Sequence, residues 1–179
     1  MELSEPEEAF VLHWGEMGSR WGVNRSVAQI HALLHLADGP MTAEDIAKTL
    51  SMARSNVSNS VRELLAWRLI ETTSVLGDRR DHFLAVTDGL EMAKRIVEGR
   101  RQREFLPTLS ALSCMVEAAK ADAATPRHSA ERMESTLRLM EEADRWYREM
   151  ASLSPKVQTR LLSMGARIAK LLPSKKKRK

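Results

Sequence analysis

The side chains with the most evident chemistry lie in one short stretch, MARSNVSNSVREL, which spans residues 52–64. On a helical wheel, Val57, Val61 and Leu64 fall on one apolar arc, and the opposite arc is polar. The polar arc and its flanks carry Arg54, Ser55, Asn56, Ser58, Asn59, Arg62 and Glu63. Serine and asparagine are each about 0.5–0.7 kcal/mol worse than alanine as helix formers. Their concentration on an exposed helix face therefore indicates a role other than helix stability.

A polar helix face of this kind is suited to contact the edges of DNA bases. Asparagine pairs bidentately with adenine N6 and N7, serine donates or accepts, and arginine suits guanine O6 and N7 or a phosphate. Short side chains let the helix approach closely, and the N-terminal half of a recognition helix makes most base contacts. An arbitrary solvated face would favour glutamate and lysine. The predicted DNA-binding residues of this helix are Arg54, Ser55, Asn56, Ser58, Asn59 and Arg62.

A second cationic group lies in the segment ETTSVLGDRRDHFLAVT. Its two arms, Glu71–Leu76 and His82–Val86, are rich in β-branched residues or alternate, and the polar turn GDRRD joins them, which predicts a β-hairpin. At its tip, Arg79 and Arg80 could enter a minor groove or clamp phosphates. A solvated turn accounts equally well for the two arginines taken alone. Asp78 is predicted to pair with a neighbouring arginine and so hold the shape of the loop.

Helices must position these groups, and the sequence supplies them. A helix is predicted over residues 26–37, which DGP closes, and Thr42 is predicted to cap the next helix, with acidic residues in its first turn. About three residues separate that helix from the polar stretch. The predicted order of elements is therefore a helix, a turn, a second helix and a β-hairpin, which is the order found in a winged helix-turn-helix. Because the pattern beyond Thr87 is helical throughout, the predicted fold class is mainly α with a small β-hairpin.

We expect three parts along the chain. Residues 1–87 form the N-terminal helices and the winged helix-turn-helix DNA-binding domain, residues 88–172 a helical dimerisation region, and residues 173–179 a basic disordered tail. One recognition helix contacts too few base pairs to select a genomic site, so such domains pair on half-sites. The apolar stripes after Thr87 also exceed what the small winged domain could cover. A homodimer is therefore expected, and a monomeric bundle is the alternative.

Composition restricts the class of protein. No run of the 179 residues approaches the length of a membrane span, and the N-terminus MELSEPEE is unlike a signal peptide. The lone Cys114 rules out an internal disulfide and fits a reducing compartment. A cytoplasmic protein without a membrane partner is expected.

Charge is concentrated at the end of the chain. The net charge is +4, and the last five residues, KKKRK, supply +5, so the remainder sums to −1. Binding to DNA must therefore rest on the placement of individual charges rather than on bulk attraction. The tail is expected to add sequence-independent, salt-sensitive affinity.

Other chemical groups give weaker signals. His31 and His35 have the i, i+4 spacing of two metal ligands, but no third ligand lies near them in sequence, so no metal is predicted. Cys114 is predicted to be buried and inert rather than a peroxide-sensing thiol. No phosphate-binding loop, nucleophile elbow or paired carboxylates occur, so we expect neither enzymatic activity nor a cofactor, and a cofactor-binding site is unknown.

Aromatic residues raise one further alternative. Trp146 and Tyr147, with Trp14 and Trp21, could contribute to a cage for a quaternary ammonium ligand. Adjacent aromatics on a helix point in different directions, so a core role for one of them is the simpler interpretation.

The segment LSMARSNVSNSVRELLAWRLIETTSVLGDRRDHFLAVT resembles the winged-helix domain of the GbsR-like branch of the MarR superfamily. That branch typically shows Leu-Gly-Leu-Ser-Arg-Gly-Ser-Val-Ser, then Arg-Glu-Leu, a tryptophan and, at the wing, Gly-Asp-Arg. The matching residues here are Arg54, Ser58, Arg62, Glu63, Leu64, Trp67, Gly77, Asp78 and Arg79. Asn56 and Asn59 replace smaller or apolar residues of the pattern, so the base preference of relatives does not carry over.

The resemblance covers about residues 15–100. It implies a cytoplasmic bacterial repressor that dimerises through its terminal helices and loosens from double-stranded DNA when a small-molecule effector binds. The predicted function is thus a DNA-binding transcriptional regulator, acting as a homodimer on an inverted-repeat operator. The alternative is a winged-helix protein-interaction module, in which apolar anchors would more often replace the Ser/Asn/Arg face.

Overall fold

The computed structural model describes residues 2–165 of the chain. The predicted basic tail, and residues 166–172 of the predicted dimerisation region, lie outside the described residues. Two compact units are present: the first ends at Glu104 and the second begins at Phe105. Within the described residues, no helix combines the length and the apolar character needed to cross a membrane.

The first unit alternates helices with a small sheet. Its elements are α1 (Glu5–Arg20), α2 (Arg25–Leu36), β1 (Met41–Thr42), α3 (Ala43–Thr49), α4 (Arg54–Ala66), β2 (Ile70–Val75), β3 (Asp78–Ala85) and α5 (Gly89–Arg100), followed by a π-helical segment, Arg101–Phe105. The second unit contains α6 (Leu106–Ala121), α7 (Arg127–Ser152) and α8 (Pro155–Met164). The helix-turn-helix is α3–α4 and the wing is β2–β3, so the chain has the predicted winged helix-turn-helix fold.

The core of the first unit forms where α2, α3 and α4 meet the sheet. Ile30, Leu33 and Ile46 are fully buried, as is Val57 at the start of the apolar arc of α4. Val61 and Leu64 continue that arc at 5% and 1% exposure, so the predicted inner face of the helix is confirmed. Each such aliphatic side chain contributes about 1.5–3 kcal/mol on burial. Packing therefore holds α4 in place despite its poor helix formers.

The sheet has three antiparallel strands in the order β1-β3-β2. Ile70 pairs with Ala85 and Thr72 with Phe83 across the hairpin, and Met41 pairs with Phe83 on the other side of β3. The hairpin was predicted, but β1 was not, because two residues are too few to show the period-2 pattern of a strand.

The wing differs from the prediction at its tip. The predicted five-residue turn GDRRD is wrong, because β2 and β3 are joined by Leu76 and Gly77 alone. Gly77 takes a φ of +85°, which suits a tight hairpin turn and which other residues adopt only with strain. Leu76 is fully exposed at the apex. Arg79 and Arg80 consequently lie on β3, just beyond the turn, rather than at the tip itself.

Two helix ends differ from the sequence pattern, in which the first helix ends at Gly18 and Thr87 caps the helix after the hairpin. α1 continues through Gly18 to Arg20, because this glycine serves close packing: a Cβ there would lie 2.5 Å from the Cβ of Ala28 on α2. Asp88 rather than Thr87 caps α5, since the Asp88 carboxylate accepts a 2.7 Å hydrogen bond from the backbone of Glu91.

The second unit is built on a helical hairpin of α6 and α7. Val116 and Leu137 are its buried apolar residues. The prediction that Cys114 is buried is wrong: it precedes Val116 by two residues, about 200° around the helix, and so points away from the α7 contact. The Gln158 amide donates 2.9 Å hydrogen bonds to the carbonyls of Met150 and Leu153, which ties α8 to the end of α7.

Candidate nucleic-acid interface

The outward face of α4 presents most of the predicted DNA-binding residues to solvent. Arg54, Ser55, Ser58, Asn59 and Arg62 are all exposed. The Arg62 guanidinium donates a 3.2 Å hydrogen bond to the Asn59 carbonyl oxygen one turn earlier, so these two polar groups stand side by side. The face contains no exposed large apolar residue. It offers hydrogen-bond donors and acceptors together with two guanidinium groups.

Asn56 occupies a different environment from the rest of this set. It is half-buried, and its amide nitrogen donates a 2.8 Å hydrogen bond to the Ser26 hydroxyl at the start of α2. The Asn24 side chain accepts from the backbone of Ser26 at 2.8 Å and caps the same helix. The contact with Ser26 uses one of the two N–H groups of the amide and links α4 to α2.

The first turn of α3 is fixed by the predicted cap. Thr42 accepts a 3.2 Å hydrogen bond from the backbone of Asp45, and the Asp45 carboxylate accepts from the Thr42 backbone at 3.2 Å. This reciprocal capping box satisfies two backbone donors, and the Thr42 hydrogen bonds lower the pKa of Asp45. The same turn carries Glu44, whose position is thereby set.

Glu44 connects the two predicted groups of DNA contacts. Its Oε2 lies 3.1 Å from a guanidinium nitrogen of Arg54 on α4 and 3.5 Å from one of Arg80 on β3. The N-terminus of α4 and the start of β3 in the wing are therefore neighbours on one surface. The sequence indicated only that acidic residues, Glu44 among them, lie in the first turn of this helix, because the partners of Glu44 lie 10 and 36 residues further along the chain.

The wing has its own ion pair. The Arg80 Nε lies 3.0 Å from both carboxylate oxygens of Asp78, which confirms the predicted pairing of Asp78 with a neighbouring arginine. These hydrogen bonds hold the pKa of the Asp78 carboxyl well below its usual range. The buried His82 ring contacts the Arg80 carbonyl at 2.9 Å and the Asp78 carboxylate at 3.5 Å. Arg79, by contrast, is exposed and forms no ion pair within the described part of the chain.

The other end of α4 is held by arginines that the sequence did not identify. Arg68 follows the helix with a φ of +56°, and its carbonyl accepts a hydrogen bond from Arg95 of α5. Arg103 donates to the Ala66 carbonyl at 3.3 Å and lies 4.3 Å over the Trp67 ring. The carbonyls at a helix C-terminus lack intrahelical partners; Arg103 supplies one for Ala66, and Arg95 holds the chain just beyond the helix. The spacing of charged residues along α5 and the π-helical segment could not reveal such backbone partners.

A small apolar cavity of about 70 Å³ lies beneath the recognition helix. Its lining includes Trp14, Trp21, Val27, His31, Leu64 and Trp67. His31 is 3% exposed, and its Nε2 has no hydrogen-bond partner within the described residues. Burial and the charge of His35 lower the pKa of His31 to about 4, so the ring is neutral at pH 7. Among the described residues, no three histidine, cysteine or acidic side chains are arranged to hold a metal ion.

Comparisons with known proteins fit this geometry. The family model described as "MarR family" matches residues 21–81, about a third of the chain. A crystal structure of a transcriptional regulator is similar with a TM-score of 0.65 at 19% identity, covering 80% of this chain and 94% of the other. At that identity, this likeness establishes the winged-helix fold alone. No curated protein matches the chain in sequence.

Structures of MepR from Staphylococcus aureus give weaker likenesses. MepR, a transcription regulator of the multidrug efflux pump MepA, has a TM-score of 0.39 at 18% identity, covering 76% of this chain and 90% of MepR. A MepR–DNA complex has a TM-score of 0.37 at 20% identity, with coverage of 57% and 86%.

Proposed function

We propose that the protein is a DNA-binding transcriptional regulator of the MarR family whose winged helix-turn-helix contacts double-stranded DNA. The observation that carries the proposal is the arrangement around Glu44. It brings Arg54 of the recognition helix and Arg80 of the wing to one carboxylate, so α4 and the wing can contact the same duplex. Residues 21–81, which match the MarR family, include all of these groups.

Each predicted contact has a role in this proposal. Ser55, Ser58 and Asn59 face base edges in the major groove, where their short side chains permit close approach. Arg54 and Arg62 contact a base or a phosphate. Arg79 and Arg80 contact phosphates or the minor groove beside the wing. Asn56 lies at the edge of the proposed DNA-contacting surface, because its hydrogen bond with Ser26 holds it between α4 and α2.

The proposed regulator acts as a homodimer on an inverted repeat, with residues 88–172 as the dimerisation region. The exposure of large apolar side chains in the second unit supports this: Met115, Leu139 and Trp146 are 57%, 67% and 63% exposed. Leu139 and Trp146 lie seven residues apart on α7 and so share one face of that helix, and neighbouring exposed apolar side chains mark interaction surfaces where single scattered ones do not. Two recognition helices on half-sites about one helical turn apart would supply the selectivity that one lacks.

A small-molecule effector is proposed to bind in the cavity beneath α4 and to release the DNA. Leu64 and Trp67, which line the cavity, belong to the recognition helix and its C-terminal cap. In this proposal, a ligand larger than the 70 Å³ space displaces the inner face of α4, one of the elements that line it. Because effector binding releases the DNA, the proposed role is that of a repressor. We propose further that this repressor is cytoplasmic, has no catalytic role and belongs to the GbsR-like branch.

The alternative is a protein-interaction module without specific DNA binding. Interaction surfaces depend on a few large apolar or aromatic anchors. The exposed face of α4 carries serine, asparagine and arginine instead, which favours the DNA-binding proposal.

A selection from a random duplex library with the full-length protein tests the proposal. We expect enrichment of an inverted repeat whose half-sites lie about one turn apart. A search for that motif upstream of genes near its own would then identify the operator. Retention of duplexes without an enriched motif would instead support the interaction module.

Dimerisation is tested by the sedimentation of the full-length protein. A dimer is expected at micromolar concentration, and a monomer would contradict the homodimer. Ligand binding in the cavity is tested separately by quenching of tryptophan fluorescence, since Trp14, Trp21 and Trp67 are three of the four tryptophans of the chain.

A further inference from the structure

Glu44 lies at the centre of a group of charges on the proposed DNA-contacting surface. One of its carboxylate oxygens contacts both Arg54 at 3.1 Å and Arg80 at 3.5 Å. Arg80 is also bound by Asp78, so four charged side chains from α3, α4 and the wing form one chain of ion pairs. All six basic residues of segment 42–86 are balanced by six acidic ones.

This chain of ion pairs has little value for stability. The side chains of Arg54, Glu44 and Arg80 are 71%, 58% and 54% exposed. Ion pairs between exposed side chains are weakened by water and salt and contribute little to folding. The position of these ion pairs between the recognition helix and the wing is better explained by an effect on DNA binding.

A carboxylate oxygen offers a guanidinium the same partner as a phosphate oxygen: an anionic acceptor of charge-assisted hydrogen bonds. While Glu44 occupies Arg54 and Arg80, their attraction for the phosphates of any passing duplex is reduced. The shared carboxylate also keeps the two guanidinium groups close to one another. They therefore lose less conformational freedom when a duplex presents its phosphates in the matching register.

We propose that Glu44 is a specificity-determining residue that holds Arg54 and Arg80 and thereby weakens binding to non-cognate DNA more than binding to the operator. This inference rests on the proposed function and assigns a role to a residue that would not itself contact a base. Glu44 acts through the arginines, as an internal substitute for a phosphate.

Equilibrium binding of the full-length Glu44→Gln variant tests this role against two duplexes, the selected operator and a scrambled one. The non-specific association constant is expected to rise about three- to tenfold near 0.1 M salt, with a salt slope steeper by up to about one unit. The operator constant is expected to change less than about twofold, because the freed arginines must be ordered on binding. Unchanged non-specific binding, or an equal rise for both duplexes, would overturn the inference.

Two controls separate this role from a general effect of charge. Glu16→Gln removes the same charge from an exposed position on α1 and is expected to change neither constant by more than about twofold. In an Arg54→Gln/Arg80→Gln background, Glu44→Gln is expected to have no more effect than Glu16→Gln. A full effect there would mean direct repulsion of phosphates and would overturn the inference. If the wild-type protein enriches no motif, the proposed function fails instead, whatever Glu44→Gln does.

Discussion

Asn56 of the recognition helix donates a 2.8 Å hydrogen bond to the hydroxyl of Ser26, a residue 30 positions earlier at the start of α2. Asn59, one turn further along α4, is exposed and contacts only the polar face to which it belongs. Two asparagines three residues apart thus have different surroundings. One joins two helices of the fold, and the other is available to a ligand.

Alanine substitutions should separate these two roles. Asn56→Ala is expected to lower the free energy of unfolding by about 0.5–1.5 kcal/mol, because it removes a partly buried hydrogen bond. Asn59→Ala is expected to change it by less than about 0.5 kcal/mol and to weaken operator binding by about 1–3 kcal/mol. Urea unfolding and fluorescence anisotropy measure the two quantities. A loss of stability in Asn59→Ala equal to that in Asn56→Ala would contradict the assignment.

The two arginines of the wing should differ in their effect on DNA affinity. Arg79→Ala is expected to weaken binding to all duplexes and to reduce the salt slope by about one. Arg80→Ala should weaken binding further, since it removes a cation and also leaves the Asp78 carboxylate without its main partner near the DNA. Anisotropy titrations from 50 to 200 mM salt test this order. Arg127→Ala, at an exposed site on α7, is the control and should leave both slope and affinity nearly unchanged.

Replacing either of two residues in left-handed backbone conformations with glycine should stabilise the protein. Ser51 follows α3 with a φ of 51° and Arg68 follows α4 with a φ of 56°. Side chains with a Cβ are strained there, by about 1 kcal/mol. Ser51→Gly and Arg68→Gly are each expected to raise the free energy of unfolding by up to about 1 kcal/mol.

Denaturant unfolding checks this gain, with Ser51→Ala as the matched control, because alanine keeps the Cβ and should give no increase. A decrease on Ser51→Gly would show that the serine side chain contributes more than the strain costs.

The stability of the fold should fall as pH drops below about 6.5. Burial keeps the pKa of His31 near 4 in the folded protein, whereas the unfolded chain titrates near 6.5. Between these values the unfolded state binds more protons, so the stability present above pH 6.5 decreases by up to about 1.4 kcal/mol per pH unit. Urea unfolding of the wild type and of His31→Gln at pH 7.5 and pH 5 measures this contribution. The wild type should lose about 2 kcal/mol more than the variant, and equal losses would contradict it.

The sequence predicted the parts of the fold that depend on local pattern. The apolar arc of Val57, Val61 and Leu64 identified the inner face of α4, because helical periodicity and burial are linked directly. The cap at Thr42 followed from residue type. The two-residue turn at Leu76 and Gly77 did not, because the polar residues after it are in β3, where hydrogen bonding across strands overrides their turn propensity.

Features that depend on distant partners were not predictable. Arg95 and Arg103 donate hydrogen bonds to backbone carbonyls at and just beyond the end of α4. Every residue has such a carbonyl, so the sequence does not indicate which one is bound. The cavity beneath α4 requires several helices to meet. Cys114 was misplaced because the pattern of α6 does not state which of its sides meets α7. The residues of the candidate site were predicted as a set, but the shared carboxylate of Glu44 that joins them was visible only in three dimensions.

The separation of exposed and structural positions along α4 indicates which residues could be changed to alter the DNA sequence that the protein binds. Ser55, Ser58 and Asn59 face solvent, whereas Ser60 is 2% exposed and Asn56 joins two helices. A combinatorial library restricted to positions 55, 58 and 59 would therefore explore new operator sequences while leaving the scaffold intact. With this separation, the target sequence would change without compensating changes in the core.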